Sequence, residues 1–236
     1  MTDHSIPLMN RRRLVLGSIA LLTCGSRAVA QAHPLYGGSD PGADPSLAAP
    51  WQSDPTLLPP KESETDFPVP QVNPDIIPAE FRRQTVPNNS SYKPGTVIVD
   101  PAHRFLYYVQ DQTTAIRFGV GVGRAGFAWS GSARVGMKRR WPRWVPPVEM
   151  VQRDERAAKW PNGMPGGPEN PLGARALYLF VGNEDTLYRI HGTNEPRTIG
   201  TAVSSGCVRM LNQDIAELFD LVPVGAPVEV LAGEPV

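Results

Sequence analysis

Tyr188-Arg-Ile-His-Gly-Thr-Asn194 and Ser204-Ser-Gly-Cys-Val-Arg-Met210 are the two blocks on which the reading of this chain turns. His191 ends a short apolar strand, and Gly192-Thr193 follow it. Sixteen positions later stands Cys207. A thiol attacks as thiolate, yet a free cysteine is mostly protonated near neutral pH. A histidine within hydrogen-bond reach can take that proton and later return it to a leaving amine. Gly206 lets the backbone turn tightly, so that main-chain N–H groups can face an incoming carbonyl. Arg209 adds positive charge that favours thiolate or holds a substrate carboxylate. Other readings of Cys207 stay open on residue chemistry alone: a buried small hydrophobe, a metal ligand or a redox thiol. Two ligands do not make a zinc site, and no resolving cysteine accompanies Cys207.

Outward from these blocks the body reads as short β-runs. Gly95–Asp100, Arg104–Gln110, Thr114–Val122, Ala174–Val181, Thr186–His191 and Ala226–Leu231 are β-branched or alternating and are bounded by Gly, Pro and Asn turns. That pattern predicts an antiparallel sandwich or barrel. One helix is expected after Asn212 as N-cap, with Ile215, Leu218 and Phe219 on one face. Trp129 to Asn170 is rich in Pro, Gly, Trp and Arg and reads as a long lid-like loop, with Gly166-Gly167 as a lid hinge or a plain turn. Arg175 and Asn170-Pro-Leu-Gly173 are expected to organise a wall of the cleft.

The two blocks, with Ile199-Gly200 between them, resemble the L,D-transpeptidase catalytic domain of the YkuD type. That family has a His-Gly-Thr/Ser followed by Ser/Thr-x-Gly-Cys-x-Arg/Asn. Phe118–Gly123, Trp129-Ser-Gly131, Trp141-Pro-x-Trp-x-Pro-Pro147 and Asn170–Ala176 resemble the form common in alphaproteobacterial members. The resemblance runs from about Ile77 to Leu231. It implies a mainly β fold, a sandwich or barrel with one or two short helices. It also implies acyl transfer on peptidoglycan stem peptides through a Cys207 thioester, without cofactor or metal. His191 matches the general base. Gly192 matches the position whose backbone carbonyl orients the imidazole, and the Gly206 N–H matches an oxyanion contributor. Ser205, Thr193, Arg209, Arg139 and Arg140 are candidate substrate contacts. Many members have histidine where this chain has Ser205. Acceptors implied are a second stem, a lipoprotein or an outer-membrane protein. An L,D-carboxypeptidase of the same fold, a non-catalytic wall-binding scaffold and a peptidase for ordinary proteins are the rival readings.

The chain has 236 residues and no formal net charge, so nothing in its balance points to nucleic acid. The charge is nevertheless segregated. Residues 1–30 hold four arginines and one acid, residues 31–80 are −7, and residues 81–236 are +4. Residues 1–30 read as an export signal ending at Ala28-Val-Ala30, with an apolar run too short to span a membrane. Asn10-Arg-Arg-Arg-Leu-Val-Leu16 resembles a twin-arginine signal; an ordinary Sec signal is the alternative. Leu21-Leu-Thr-Cys24 loosely resembles a lipoprotein box. The expected location is the periplasm. Residues 31–90, with 12 prolines, read as an acidic disordered linker on which Ile76, Ile77 and Phe81 begin docking. Residues 91–236 are the expected catalytic domain.

Overall fold

A computed structural model describes residues 66–123, 129–204 and 206–232. The expected signal, the lipoprotein-box resemblance at Cys24 and most of the expected linker lie outside the described residues. Nine strands form one sheet. In sheet order they are β1 (Gln84–Pro87), β4 (Thr114–Gly119), β3 (Phe105–Val109), β2 (Val97–Asp100), β11 (Pro227–Val230), β6 (Gly131–Arg140), β7 (Arg175–Val181), β8 (Glu184–His191) and β10 (Val208–Arg209). β5 (Val122–Gly123) and β9 (Ala202–Ser204) form a second, two-stranded sheet. The large sheet curls back on itself. Gly121, two residues beyond β4, exchanges both backbone hydrogen bonds with Arg209 of the far strand β10, at 2.9 and 2.7 Å. The continuation of β4 thus meets the far edge strand, so the expected sandwich or barrel closes through the very strand that follows Cys207.

The sheet is mixed and not purely antiparallel. β2 with β11, β8 with β10, and β5 with β9 run parallel. The sequence shows why for β2. Val97-Ile-Val-Asp100 is buried at every position. Val97 and Val99 face the main core, while Ile98 packs with Phe105, Tyr107 and Val109 on the other side. A continuous β-branched run suits a strand covered on both faces.

The second cover comes from residues assigned to the linker. Phe81 packs on the Ile98 cluster, Ile77 joins Ile199 and Leu211, and β1 pairs antiparallel with β4. Asp66 pairs with Arg140 and Arg175, and the Phe67 carbonyl accepts from Trp141 Nε1 at 3.0 Å. The expected boundary at residues 90/91 therefore falls inside ordered structure. Prolines in this strap open short 3-10 turns at Pro74–Ile76 and Ala79–Phe81 without preventing apolar side chains from docking.

Three α-helices are present among the described residues, where one or two were expected: α1 (Val148–Arg153), α2 (Glu155–Ala158) and α3 (Asn212–Leu221). α3 puts Ile215, Leu218 and Phe219 into the core, as the spacing predicts. Its N-cap is Leu211, and Asn212 is already helical. Asn212 is not the cap because its buried side chain bonds across to other segments.

The expected loop from Trp129 is in part the ten-residue strand β6, paired with β7 and β11. β6 is hard to read because only Val135 is fully buried and its other positions, Met137 apart, are polar or small. Residues 141–174 form the remaining irregular segment. Asn170 knots it: the buried amide donates to the carbonyls of Pro142, Met164 and Pro165. Gly166 is a close-approach position and not a hinge, because a Cβ there would collide with the Trp141 backbone. Among the described residues no helix is long and apolar enough to cross a membrane.

Candidate active site

Parallel pairing places Val208 level with Ile190 and Arg209 level with His191. Cys207 immediately precedes β10 and stands level with Arg189. Because strand side chains alternate, Cys207, Arg189, His191 and Arg209 share one face, while Val208 and Ile190 enter the core. Sixteen residues of sequence thus collapse to a diagonal across two adjacent strands. β7 extends the row, with Ala176 opposite His191 and Tyr178 opposite Arg189.

His191 is buried, and its Nδ1 lies 2.6 Å from the Gly192 carbonyl. A carbonyl only accepts, so Nδ1 carries the proton and Nε2 keeps its lone pair. Burial lowers the imidazole to about 4, although the Gly192 and Leu172 carbonyls pull the other way. Nearby Arg209 and Arg189 lower it further. His191 is therefore a neutral base across the physiological range.

Cys207 is partly exposed and is a free thiol. Burial pushes it up, against the charges of Arg189 and Arg209 and a hydrogen bond from the Arg189 backbone N–H. Both partners rest neutral, so the thiolate must form as the proton moves to His191. The turn before it is held by Ser204, whose hydroxyl donates to the Cys207 carbonyl at 2.6 Å. The same oxygen accepts from the Gly206 N–H at 3.3 Å. Gly206 has φ +130°, which an L side chain rarely adopts. Gly123 of β5 packs so closely that a Cβ there would lie 2.9 Å from Gly206 Cα.

The other expected contacts fall in different places. Arg209 lies on the thiol face and pairs with Glu195 at 3.0 Å. Arg139 is on the same face, opposite Ala176, and its buried Nε has no partner. Arg140, the next residue of the strand, is on the opposite face and pairs with Asp66. Alternation along β6 separates two arginines that the sequence reading grouped in one loop. Lys138 is also on that opposite face and donates to the Phe219 and Val222 carbonyls at the end of α3. Thr193 is 2% exposed, and its hydroxyl accepts from the Glu195 N–H. It shapes the turn after His191 and is not open to substrate here. Ser205 lies outside the described residues.

Four participants were not singled out from sequence. Arg189 was legible, since alternation along β8 places it beside His191's face. It pairs bidentately with Asp185, at 2.6 and 2.7 Å, and stacks on Tyr178. Ser204, three residues before Cys207, has the spacing of a local side-chain-to-backbone turn. Glu195 and Leu172 carry no local signal, because tertiary packing brings them in. Among the described residues no group of His, Cys, Asp or Glu could hold a metal ion.

Residues 94–230 match the model of the YkuD L,D-transpeptidase catalytic domain. The chain belongs to this family. The probable L,D-transpeptidase YbiS of Escherichia coli is 40% identical over 147 residues, covering 60% of this chain and 45% of that protein. The probable L,D-transpeptidase ErfK/SrfK of the same species is 34% identical over 163 residues, covering 66% of this chain and 51% of that one. The chain spans about half the length of these curated relatives. A solved structure from Brucella melitensis, named a probable carnitine operon oxidoreductase, is 50% identical. It covers 66% of this chain and 95% of its own, with a TM-score of 0.45. The matched span includes both sequence blocks, and the L,D-transpeptidase domain begins near the end of the strap.

Proposed function

We propose that this chain is a periplasmic L,D-transpeptidase that joins or modifies peptidoglycan stem peptides. The observation that carries the reading is the placement of Cys207 and His191 on one face of adjacent strands, with His191 Nδ1 committed to the Gly192 carbonyl. Nε2 is then the atom that accepts the thiol proton. Sγ attacks the carbonyl at the L-centre of the third stem residue, and a tetrahedral oxyanion forms. The oxyanion collapses to a thioester as the C–N bond breaks. The imidazolium returns its proton to the departing amine of D-Ala. An acceptor amine, from a second stem or from a lipoprotein or outer-membrane protein, then attacks the thioester, and its proton passes through His191.

The Ser204 bonds hold the Cys207 turn in one shape, so the attacking sulfur needs little reorganisation. Gly206 N–H already donates to Ser204, so a role in binding the oxyanion requires it to turn from that bond. Arg209 and Arg139 supply positive charge on the thiol face for the stem's carboxylates. The leader read from residues 1–30 supports export by the twin-arginine route.

The test is purified full-length protein with tetrapeptide-stem muropeptides, with and without an acceptor amine, followed by mass spectrometry. A new amide to the acceptor with loss of D-Ala is expected. Trimming to tripeptides with no amide under either condition would identify a carboxypeptidase instead. N-terminal sequencing of the periplasmic protein, with start near Gln31 expected, tests the location.

A further inference from the structure

Asn212 joins three segments at one buried point. It is 3% exposed. Its Oδ1 accepts from the Ala174 N–H at 2.9 Å, and its Nδ2 donates to the Thr193 carbonyl at 2.9 Å. Two glycines make room for it. A Cβ at Gly173 or at Gly192 would collide with Asn212 Oδ1. Gly173 also has φ +64°, so the turn it makes suits glycine twice over.

These contacts surround His191. On one side is the turn ending in Leu172, whose carbonyl lies against the imidazole. On the other is the Gly192 peptide, whose carbonyl receives Nδ1–H. The Gly192 N–H donates to Arg175 at 3.0 Å, and the His191 carbonyl accepts from Met210 at 2.8 Å. Those bonds hold the strand. Nothing in the ladder fixes the rotation of the peptide between Gly192 and Thr193, and glycine offers the least intrinsic resistance to such rotation. The Thr193 carbonyl, one peptide further, is fixed by Asn212.

We infer that Asn212 is a positioning residue that holds the Gly192 carbonyl on His191 Nδ1 and thereby selects the imidazole tautomer that leaves Nε2 basic. The inference rests on the reading of His191 as the base. It goes beyond that reading in naming what fixes the base. Partners that orient a functional imidazole from behind typically matter by about 10–100-fold.

The test uses full-length protein with 15N-labelled histidine. Two-bond proton–nitrogen correlations report which ring nitrogen of His191 carries the proton, and the His191→Gln protein assigns the signal. The wild type should show the Nδ1–H tautomer alone. Asn212→Ala should show a mixture of tautomers, with single-turnover acylation slowed about 10–100-fold and KM for muropeptide changed less than about threefold. Asn212→Asp keeps the acceptor for Ala174 and loses the donor to Thr193. It should fall between the two, and it serves if the alanine variant does not fold. An unchanged tautomer in both variants overturns the inference, whatever happens to Tm. Loss of folding in both would make Asn212 a structural residue and overturn it too. If the wild type fails to acylate, the proposed reaction falls, while the tautomer measurement still decides the role of Asn212.

Discussion

Arg209 and Glu195 are ion-paired at 3.0 Å, and the other oxygen of the same carboxylate holds Arg156 of α2 at 3.0 Å. The pair therefore connects the strand after the nucleophile to the irregular segment 141–174. It also sets the field at the site, because Arg209 lowers both the imidazole and the thiol. Arg209→Ala should slow acylation by about tenfold, one pKa unit's worth of electrostatic help. It should move the acid limb of the pH–rate profile to higher pH. Glu195→Gln leaves Arg209 uncompensated and should move that limb the other way. Single-turnover acylation between pH 4 and 8 checks both signs. Shifts in the same direction would reduce the pair to a structural tie.

The acid behaviour of His191 carries a sign of its own. Its folded value of about 4 lies below its ordinary value, so the neutral form is the one the fold prefers. The unfolded chain takes up a proton near pH 6.5 that the folded chain refuses. Stability from this group is present above pH 6.5 and is lost as pH falls towards 4. Its size is about 3 kcal/mol. His191→Gln should flatten the urea-denaturation midpoint between pH 6.5 and 4 relative to wild type. An equally steep acid loss in the variant would assign that loss to other groups.

Asp214, in the first turn of α3, works in the opposite direction. It is 6% exposed, and burial with the neighbouring Glu217 raises it to about 7 despite Arg83. A raised carboxylate costs stability as pH climbs from about 4 to 7, because the fold must then ionise a buried group. Asp214→Asn should stabilise the protein by roughly 2–4 kcal/mol at pH 8 and by little at pH 4. Denaturation curves at the two pH values decide it. A gain independent of pH would place the effect in packing or in the helix end.

Arg139 and Arg140 should separate cleanly. Arg139→Ala removes charge from the thiol face and should raise the KM for muropeptides several-fold, less so at high salt. Arg140→Ala breaks the pair with Asp66, which is half exposed and worth about 1 kcal/mol or less, and should leave KM unchanged. Equal effects on KM would contradict the placement of the two side chains on opposite faces of β6.

What was legible in the sequence follows from how local each signal is. The Cys207 block, the His191 block, the apolar runs of β2, β3 and β4, and the buried face of α3 are written in consecutive residues, and the structure places them as their patterns require. β6 is different. Its basic side chains are engaged by the Phe219, Val222 and Gly182 carbonyls and by Asp66, and a bulge between Val135 and Met137 interrupts its alternation. Asn212 satisfied a helix-capping pattern and still went elsewhere, because Gly173 and Gly192 leave room for it to reach buried partners 19 and 38 residues away, Thr193 and Ala174. The parallel pairs were invisible for the same reason: β10 is two residues long, and its neighbour is chosen by closure of the sheet. The strap shows the converse. Composition reads it as a tether, while a few apolar side chains spaced along it are enough to bind it to the body.

The most direct measurement is intact-protein mass spectrometry of the full chain mixed with a tetrapeptide-stem muropeptide, alongside Cys207→Ala and His191→Ala. A thioester adduct on Cys207 with release of D-Ala is expected, with no adduct or product from Cys207→Ala and acylation slowed by about 10²–10⁴-fold in His191→Ala, partly restored at high pH. Muropeptide turnover by a folded Cys207→Ala protein would contradict the thioester mechanism.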